Sequence, residues 1–523
     1  MSNPVTEQYI LVEGVNIYAS MFDTSQLSVI RGSSFLLKQA IDKVSNDFPS
    51  ILEPISTGAS SGLFRIKDPT ANTDDILSKI KTCLNVEPYC HFTFTINAAA
   101  HEDFRVAKEM LIAKQRFQQL STLSVAADPQ NDEPSSPCAA NGIRTASKKN
   151  CLPGGGGSIS ASVECRFRTG LNMRSQFYVQ ETGDESIKDI KFTSDLQTLS
   201  KCDHYESLGD KIAVIYFDGN SFSQIQRNYI NTAEDQVKFD TQIKTLRKDF
   251  LARLVSAIKD GKFSDAITDA QEVRLETLMW GGDEILFVVP AWMGFDLVDF
   301  FYQESAEWKY EDASLTHAGG LVFCSAKTPI ARTQTLAKAL ADNIKDEFKK
   351  SSKDTENKQP ENSFDYMVLE SIDYPAEADI QTHFATLYGE TGKSRHPLGV
   401  FSNWSGDSGI RSELEKLFQD LPKGQIYQIA ESAIRFGGTA FVDCDHHENP
   451  GQCLKEKKDL EDKLNAKIER LKQLIGSERF ASLSEITEHL FTTESGGENS
   501  FDYWKWIHLS ETWDYLIPKR KDS

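Results

Sequence analysis

Three carboxylates in this sequence are spaced so that they could hold divalent cations against a nucleotide. Asp283 and Glu284 follow Gly281-Gly282 in the middle of an apolar run from Leu275 to Val289. Both flanks have the composition of buried strands, so the glycine pair predicts a tight hairpin turn from which the two acids project. Some 65 residues upstream, Ile212-Ala-Val-Ile-Tyr-Phe-Asp218-Gly219-Asn220 reads as another buried strand, and it too ends in a carboxylate. Neighbouring strands that gather three carboxylates offer an all-oxygen site suited to Mg²⁺ or Mn²⁺. The chemistry this permits is nucleotidyl transfer, in which a ribose 3′-hydroxyl attacks an α-phosphate and pyrophosphate leaves. Two divalent ions would lower the hydroxyl pKa and stabilise charge on the leaving oxygens. Gly281 and Gly282 would let a triphosphate approach the backbone. Alone, Gly-Gly-Asp-Glu is equally an ordinary turn; its pairing with Asp218 is what points to catalysis.

Residues flanking the acids extend the site. Backbone N–H groups of Gly219-Asn220-Ser221-Phe222 could cradle phosphate oxygens. Phe222 would pack either under that turn or against a base. Lys345, on a helix after Thr328-Pro329, could reach the β- and γ-phosphates as a point charge; a solvated helix lysine would look the same. His317 reads as structural.

These residues need a scaffold, and the pattern supplies one twice. Residues 1–105 run strand (Tyr9 to Tyr18), helix (Ile30 to Val44), hairpin (Ile55 to Ile66), helix (Asp74 to Leu84), strand (His91 to Ile96). Residues 206–375 repeat that order and add a helix from Gln334 to Lys349 and a strand from Phe364 to Ser371. Glu13-Gly14 falls where Asp218-Gly219 falls, and Ser60-Ser61 where Asp283-Glu284 falls. Each serine or acid pair precedes an apolar Leu-Phe. The expected fold is therefore α+β, with two ferredoxin-like palm domains, the first largely stripped of its acids. Residues 106–205 form a linker, helical at first and then rich in Ser, Gly and Pro from Ala126 to Gly170, with too few apolar residues to build a core alone. Zn²⁺ held by Cys138, Cys151, Cys165 and Cys202 would organise it; metal-free loop cysteines are the other reading, since no Cys-x-x-Cys pair is present. Residues 376–523 read as a helical C-terminal domain, interrupted by a loop with Cys444, His446, His447 and Cys453 that reads as a solvated loop or a metal cluster.

The chain has 523 residues and a formal net charge of -20. That argues against a broad basic surface for coating nucleic acid but not against a metal-neutralised nucleotide site. The polar N-terminus carries no secretory pattern, no apolar run is long enough for a membrane helix, and the nine cysteines are scattered. A reduced, cytoplasmic protein with no membrane partner is the expectation.

Together these motifs resemble the large polymerase-like subunit of type III CRISPR effector complexes. The resemblance rests on Phe217-Asp218-Gly219-Asn220 with Gly281-Gly282-Asp283-Glu284, and on Gly319-Gly320-Leu-Val-Phe followed by Lys327-Thr328-Pro329-Ile330 and the helix to Lys345. It rests also on the doubled palm, whose first copy opens near Leu27-Ser-Val-Ile-Arg31-Gly32-Ser33, on the cysteine-bearing insert, and on the helical C-terminal domain. It implies two facing palms that each hold ATP, with Asp218, Asp283 and Glu284 as ligands of Mg²⁺ or Mn²⁺. The surface near Gly58, Ser60 and Ser61 would face the second nucleotide. The implied product is a cyclic oligoadenylate messenger in antiviral defence, and the implied partners are guide RNA, target RNA and other effector subunits. Two departures stand out. The sequence has no His-Asp dipeptide of an HD nuclease, so DNA cutting of that type is not expected. Its turn also reads Asp-Glu, which leaves a diguanylate or mononucleotide cyclase as an alternative. An RNA-binding scaffold subunit is the non-enzymatic one.

Overall fold

The computed structural model describes residues 6–58, 60–122, 136–205, 207–351, 360–369, 379–380, 382–383, 399–400, 404, 409–440, 449–491 and 504–520. Its first unit comprises β1 (Glu7–Gly14), α1 (Leu27–Asp47), β2 (Leu52–Thr57), β3 (Ser61–Ile66), α2 (Thr73–Leu84), β4 (Phe94–His101) and α3 (Phe104–Ser121). A connecting helix, α4 (Ala161–Thr182), leads to the second unit. That unit comprises β5 (Lys211–Gly219), α5 (Phe222–Tyr229), α6 (Ala233–Lys259), β6 (Glu276–Gly281), β7 (Glu284–Pro290), α7 (Gly294–Ser305), β8 (His317–Ser325), α8 (Ile330–Ser351) and β9 (Ser363–Val368).

The two units are copies of one topology. The first sheet runs β2-β3-β1-β4 and the second β6-β7-β5-β8, followed by β9 and the two-residue strand Gly399–Val400. In each, the first strand lies between the third and the fourth and pairs antiparallel with both. The hairpin irregularity recurs as well. The β2–β3 register shifts between the Phe64 and Leu63 pairs, and the β6–β7 register between the Phe287 and Leu286 pairs. This repeated strand–helix–hairpin–helix–strand order, with helices packed on the sheet, is the expected palm architecture.

β5 is buried along almost its whole length, which is why it reads as a continuous apolar run rather than an alternating one. Phe217 on one face stacks on Phe301 of α7 at 3.8 Å between ring centroids. On the other face, Tyr216 meets Lys338 of α8. Each face of β5 thus meets a helix, and the strand can carry Asp218 at its end in a fixed position. A capping box between Thr232 and Asp235 starts α6 and satisfies its first free N–H groups.

The expected elements are present, with shifted ends. The first strand stops at Gly14, and Ile17–Met21 turns into a short helix. The fourth strand starts later, at Phe94, because Tyr89–His91 coil into a 3-10 turn and the small residues Ala98 to Ala100 carry the pairing to β1. The insert was expected to be unable to build a core alone, and Cys138, Leu152, Ile159, Val163 and Phe167 enclose a small one only with help from outside it. They do so by packing on Val29 of α1, an apolar partner lent by the first palm. The C-terminal region is helical as expected: α9 (Ile410–Asp420), α10 (Lys423–Ala440), α11 (Pro450–Ile475), α12 (Ser477–Phe491) and α13 (Trp504–Leu516). No helix among the described residues is long and apolar enough to cross a membrane.

The first palm is joined to the connecting helix where α1 crosses α4. A Cβ on Gly32 would lie 1.8 Å from the Arg166 carbonyl oxygen, and one on Gly170 would lie 1.8 Å from the Ser28 carbonyl oxygen. Backbone therefore touches backbone. Gly170→Ala should lower unfolding stability by about 1–3 kcal/mol despite alanine's better helix propensity, because the helices must separate. Urea denaturation checks this, and a stability gain would show that the crossing relaxes freely.

Candidate active site

The carboxylates converge as the spacing implied. Glu284 and Asp218 are directly opposed across the β7–β5 pair, which puts both side chains on one face of the sheet. Gly281 pairs with Glu284, so Gly282 and Asp283 form a two-residue turn. Gly282 has φ +57°, a conformation that glycine adopts without strain. Gly219 is fixed by space: a Cβ there would come within 2.6 Å of the Phe222 ring and 2.8 Å of the Asp283 Cβ. The Gly219 N–H donates to the Asp283 carbonyl at 3.2 Å, tying the end of β5 to the turn.

Two lysines of α8 answer the acids. Lys345 Nζ lies 2.6 Å from Asp218 Oδ2 and donates to the Gly219 carbonyl at 2.8 Å. Lys338 Nζ lies 3.5 Å from Glu284 Oε1, which also accepts from the Tyr216 hydroxyl. Lys345 therefore sits in the site, against a carboxylate, and is not a solvated surface lysine. Lys338 was missed by sequence reasoning. The available signal was its spacing, two turns before Lys345 on one face of the same helix.

The electrostatics are those of crowded acids. Burial first, and the Asp218 and Glu284 charges after it, push the Asp283 carboxyl up to about 6. Asp218 is also raised, chiefly by burial, with Lys345 opposing the shift. A folded-state pKa above the ordinary carboxylate value means the folded chain holds that proton more tightly than the unfolded one. Asp283 therefore costs the metal-free fold stability as pH rises from about 4 through 6. In chelator, Asp283→Asn should melt above the wild type at pH 7.5, with the gap closing below about pH 4. Melting curves across that range test it, and a gap that widens toward low pH would refute the assignment.

The turn is braced from behind. Arg247 Nη1 donates to the Gly282 carbonyl at 3.0 Å, and its guanidinium lies 4.4 Å from the Trp280 ring centroid. Trp280 Nε1 in turn donates to Glu181 of α4 at 3.0 Å. Asn220 serves the scaffold: its side chain donates to Thr316 Oγ1 at 3.1 Å and the Glu361 carbonyl at 3.2 Å, so it is engaged away from a phosphate. Ser221 adopts φ +58° at the start of α5 with an exposed side chain. Phe222 is buried under the turn, edge-on to Phe239 and His317. His317 is buried among aromatics, and burial holds its pKa down at about 3, consistent with a structural role.

A cavity of about 390 Å³ lies between the copies. Glu13, Gly58, Ser61 and Lys108 line it from the first palm, and Phe222, Phe239, Gly282 and Asp283 from the second. Ser61 is thus at the interface, whereas Ser60 uses its carbonyl to accept from the Gly14 N–H at 2.8 Å, matching the Gly219–Asp283 bond. The first copy preserves the geometry with only one of the acids, Glu13. Glu13 opposes Ser61 as Asp218 opposes Glu284. Gln119 donates to Glu13 at 3.0 Å, and both Gln119 and Lys345 lie fifteen residues beyond the first residue of their helices, Phe104 and Ile330. Lys108, half-buried with the neutral side chains of Gln226 and Gln236 as its hydrogen-bond acceptors, is held down to about 8 by burial. No sequence motif flagged it.

The cysteine reading needs correction. Cys138, Cys151, Cys165 and Cys202 do not form a ligand cluster among the described residues. Cys138 and Cys151 pack in the insert's own core, where the Cys138 sulfur accepts from the Ser160 N–H at 3.2 Å. Cys165 packs beside Phe92, and Cys202 against the main core. The quartet fails because Cys138 and Cys151 share one apolar cluster, Cys165 lies in another, and Cys202 sits apart at the edge of the main core. Cys453 is disulfide-bonded, unlike the reduced state expected for all nine. Cys444, His446 and His447 lie outside the described residues.

No protein-family description matches the sequence, and no curated protein does. Solved structures do resemble the chain. It is similar to Csm1 of T. onnurineus, with 14% identity over 99% of this chain and 70% of that one, at a TM-score of 0.46. It is similar also to type III-B Cmr-beta in its apo state, with 8% identity over 99% and 82% and a TM-score of 0.47. The Csm1-Csm4 cassette in complex with AMPPNP gives 14% identity over 83% of this chain and a TM-score of 0.43. This chain spans 63% of the length of that one.

Proposed function

We propose that this protein is a nucleotidyltransferase that condenses ATP into cyclic oligoadenylates, as the polymerase-like subunit of a type III CRISPR effector. The observation that carries the proposal is the opposition of Asp218 and Glu284 across two stiff strands, with Asp283 in the adjoining turn, facing a cavity whose other wall is a second palm. Asp218, Asp283 and Glu284 would hold Mg²⁺ or Mn²⁺. The fit is favourable: all donors are carboxylate oxygens, and the acids attract a cation strongly enough for Lys345 to occupy Asp218. When bound, such ions make a ribose hydroxyl easier to deprotonate and stabilise a departing pyrophosphate.

The chain's own groups do the rest. Lys345 adds a fixed positive charge that suits a polyphosphate. Lys108, hydrogen-bonded to the neutral side chains of Gln226 and Gln236, offers a second cation inside the cavity. Phe222 and Phe239 supply apolar surface beside it. The Arg247 and Trp280 brace keeps the turn rigid, so the carboxylates need not reorganise during the reaction. Serines at 60 and 61 leave the first palm able to hold a nucleotide but not a second set of ions, so one palm reacts and the other presents. The test is mass spectrometry of products after incubation with all four nucleoside triphosphates and Mg²⁺ or Mn²⁺, with and without total RNA. A cyclic adenylate supports the proposal. A cyclic guanylate product would favour the diguanylate cyclase alternative, and RNA capture with no product under any condition would favour a scaffold.

A further inference from the structure

We propose that Cys202, His204 and Asp265 form a binding site for a zinc-class divalent cation, separate from the carboxylate site and independent of the function proposed above. One donor atom from each of the three lies within 4.8 Å of the others. A single ion with bonds of about 2.0–2.3 Å can bridge such a set. A thiolate and an imidazole with one carboxylate select a borderline-soft ion such as Zn²⁺ over Mg²⁺. Three protein donors leave the fourth position to water.

The two loops are anchored before any ion arrives. Trp292 holds both: the Tyr205 ring stacks on it at 4.8 Å, and its Nε1 donates to the Ser264 carbonyl at 3.0 Å. Residues 205 and 264 are the immediate neighbours of His204 and Asp265, so one indole sets the spacing of two ligands. Asp265 is held at φ +48°, a conformation that non-glycine residues seldom adopt and that usually marks a local constraint. His204 Nδ1 faces Asp265 Oδ1 at 3.0 Å, and Arg520 reaches the same oxygen at 3.3 Å. Arg520 is placed to balance the carboxylate from outside the ligand set, as hydrogen-bonded neighbours of metal ligands do. The trio opens onto a broad cavity of about 1380 Å³, which gives an ion a path in.

The placement gives the ion a role. Residues 202–204 lead directly into β5 and its Asp218, and Asp265 sits in the segment that leads into β6 and the catalytic hairpin. A bound ion would tie the two approaches together.

The full chain, purified in reducing buffer without chelator, should carry about one zinc, measured by elemental mass spectrometry. Cys202→Ser and His204→Gln should each lower bound zinc about tenfold or more. After exchange into Co²⁺, the wild type should show a thiolate-to-cobalt charge-transfer band that Cys202→Ser removes. Cys151→Ser and Asp218→Asn should retain both signals, which separates this site from the insert and from the carboxylates. Circular dichroism establishes that each variant is folded. Zinc retained by the Cys202→Ser/His204→Gln double variant would overturn the proposal. So would a folded wild type that binds neither zinc nor cobalt after reconstitution. Loss of nucleotide condensation with zinc content intact would count against the proposed function and leave this site standing.

Discussion

Asp218→Asn is expected to reduce product formation by about 10³-fold, the scale of loss on removing one group that stabilises transition-state charge. The amide preserves shape and can still accept from Lys345, but it cannot supply the anionic oxygen a divalent ion requires. Because β5 is clamped between α7 and α8, the change should leave the backbone in place. Mn²⁺ affinity measured by electron paramagnetic resonance should fall in parallel with turnover. A variant that retains wild-type Mn²⁺ affinity and turnover would remove Asp218 from the site. The same substitution at Glu13 should have a far smaller effect, because Ser60 and Ser61 leave that palm without companion acids.

The largest stability effect is expected at Arg31. Its guanidinium forms a bidentate pair with Glu276 and donates to the Gly170 carbonyl at 2.9 Å, with the Arg31 and Glu276 side chains 2% and 5% exposed. Arg31→Ala should lower unfolding stability by about 3–5 kcal/mol, chiefly by stranding a buried carboxylate. The double variant Arg31→Met/Glu276→Leu should recover much of that loss, since an apolar pair needs no desolvation of charge. Chemical denaturation of the two variants separates these outcomes. Equal losses in both would mean that packing at Arg31, not charge, is what matters.

Much of the site was legible because its chemistry is local. Asp218 ends an apolar strand, and Asp283 and Glu284 follow a glycine pair, so short-range pattern located the acids without any tertiary information. The doubling was legible for a related reason: a palm's strand–helix–hairpin order survives even when Glu13, Ser60 and Ser61 replace the acids. What escaped was tertiary. Arg247 reaches the turn only because α6 folds back over it, and Arg31 meets Glu276 from 245 residues away. Lys108 acts through its position between palms. The cysteines misled because four thiols in a polar segment look like ligands, whereas three of them fill apolar gaps. The pair that does approach a metal geometry, Cys202 and His204, finds its third member beyond the next strand, at Asp265.

The α1–α4 crossing sets a limit on how this chain can vary over time. At most positions in a helix interface, a bulkier residue on one side can be offset by a smaller one opposite. Gly32 and Gly170 have no such escape, because each meets a carbonyl oxygen, which no substitution can shrink. Either glycine can be lost only if the whole interface is rebuilt. The acids could be exchanged for serines in the first palm and the cleft would survive. Descendants of this sequence can therefore lose the carboxylates in single steps while the α1–α4 joint stays frozen.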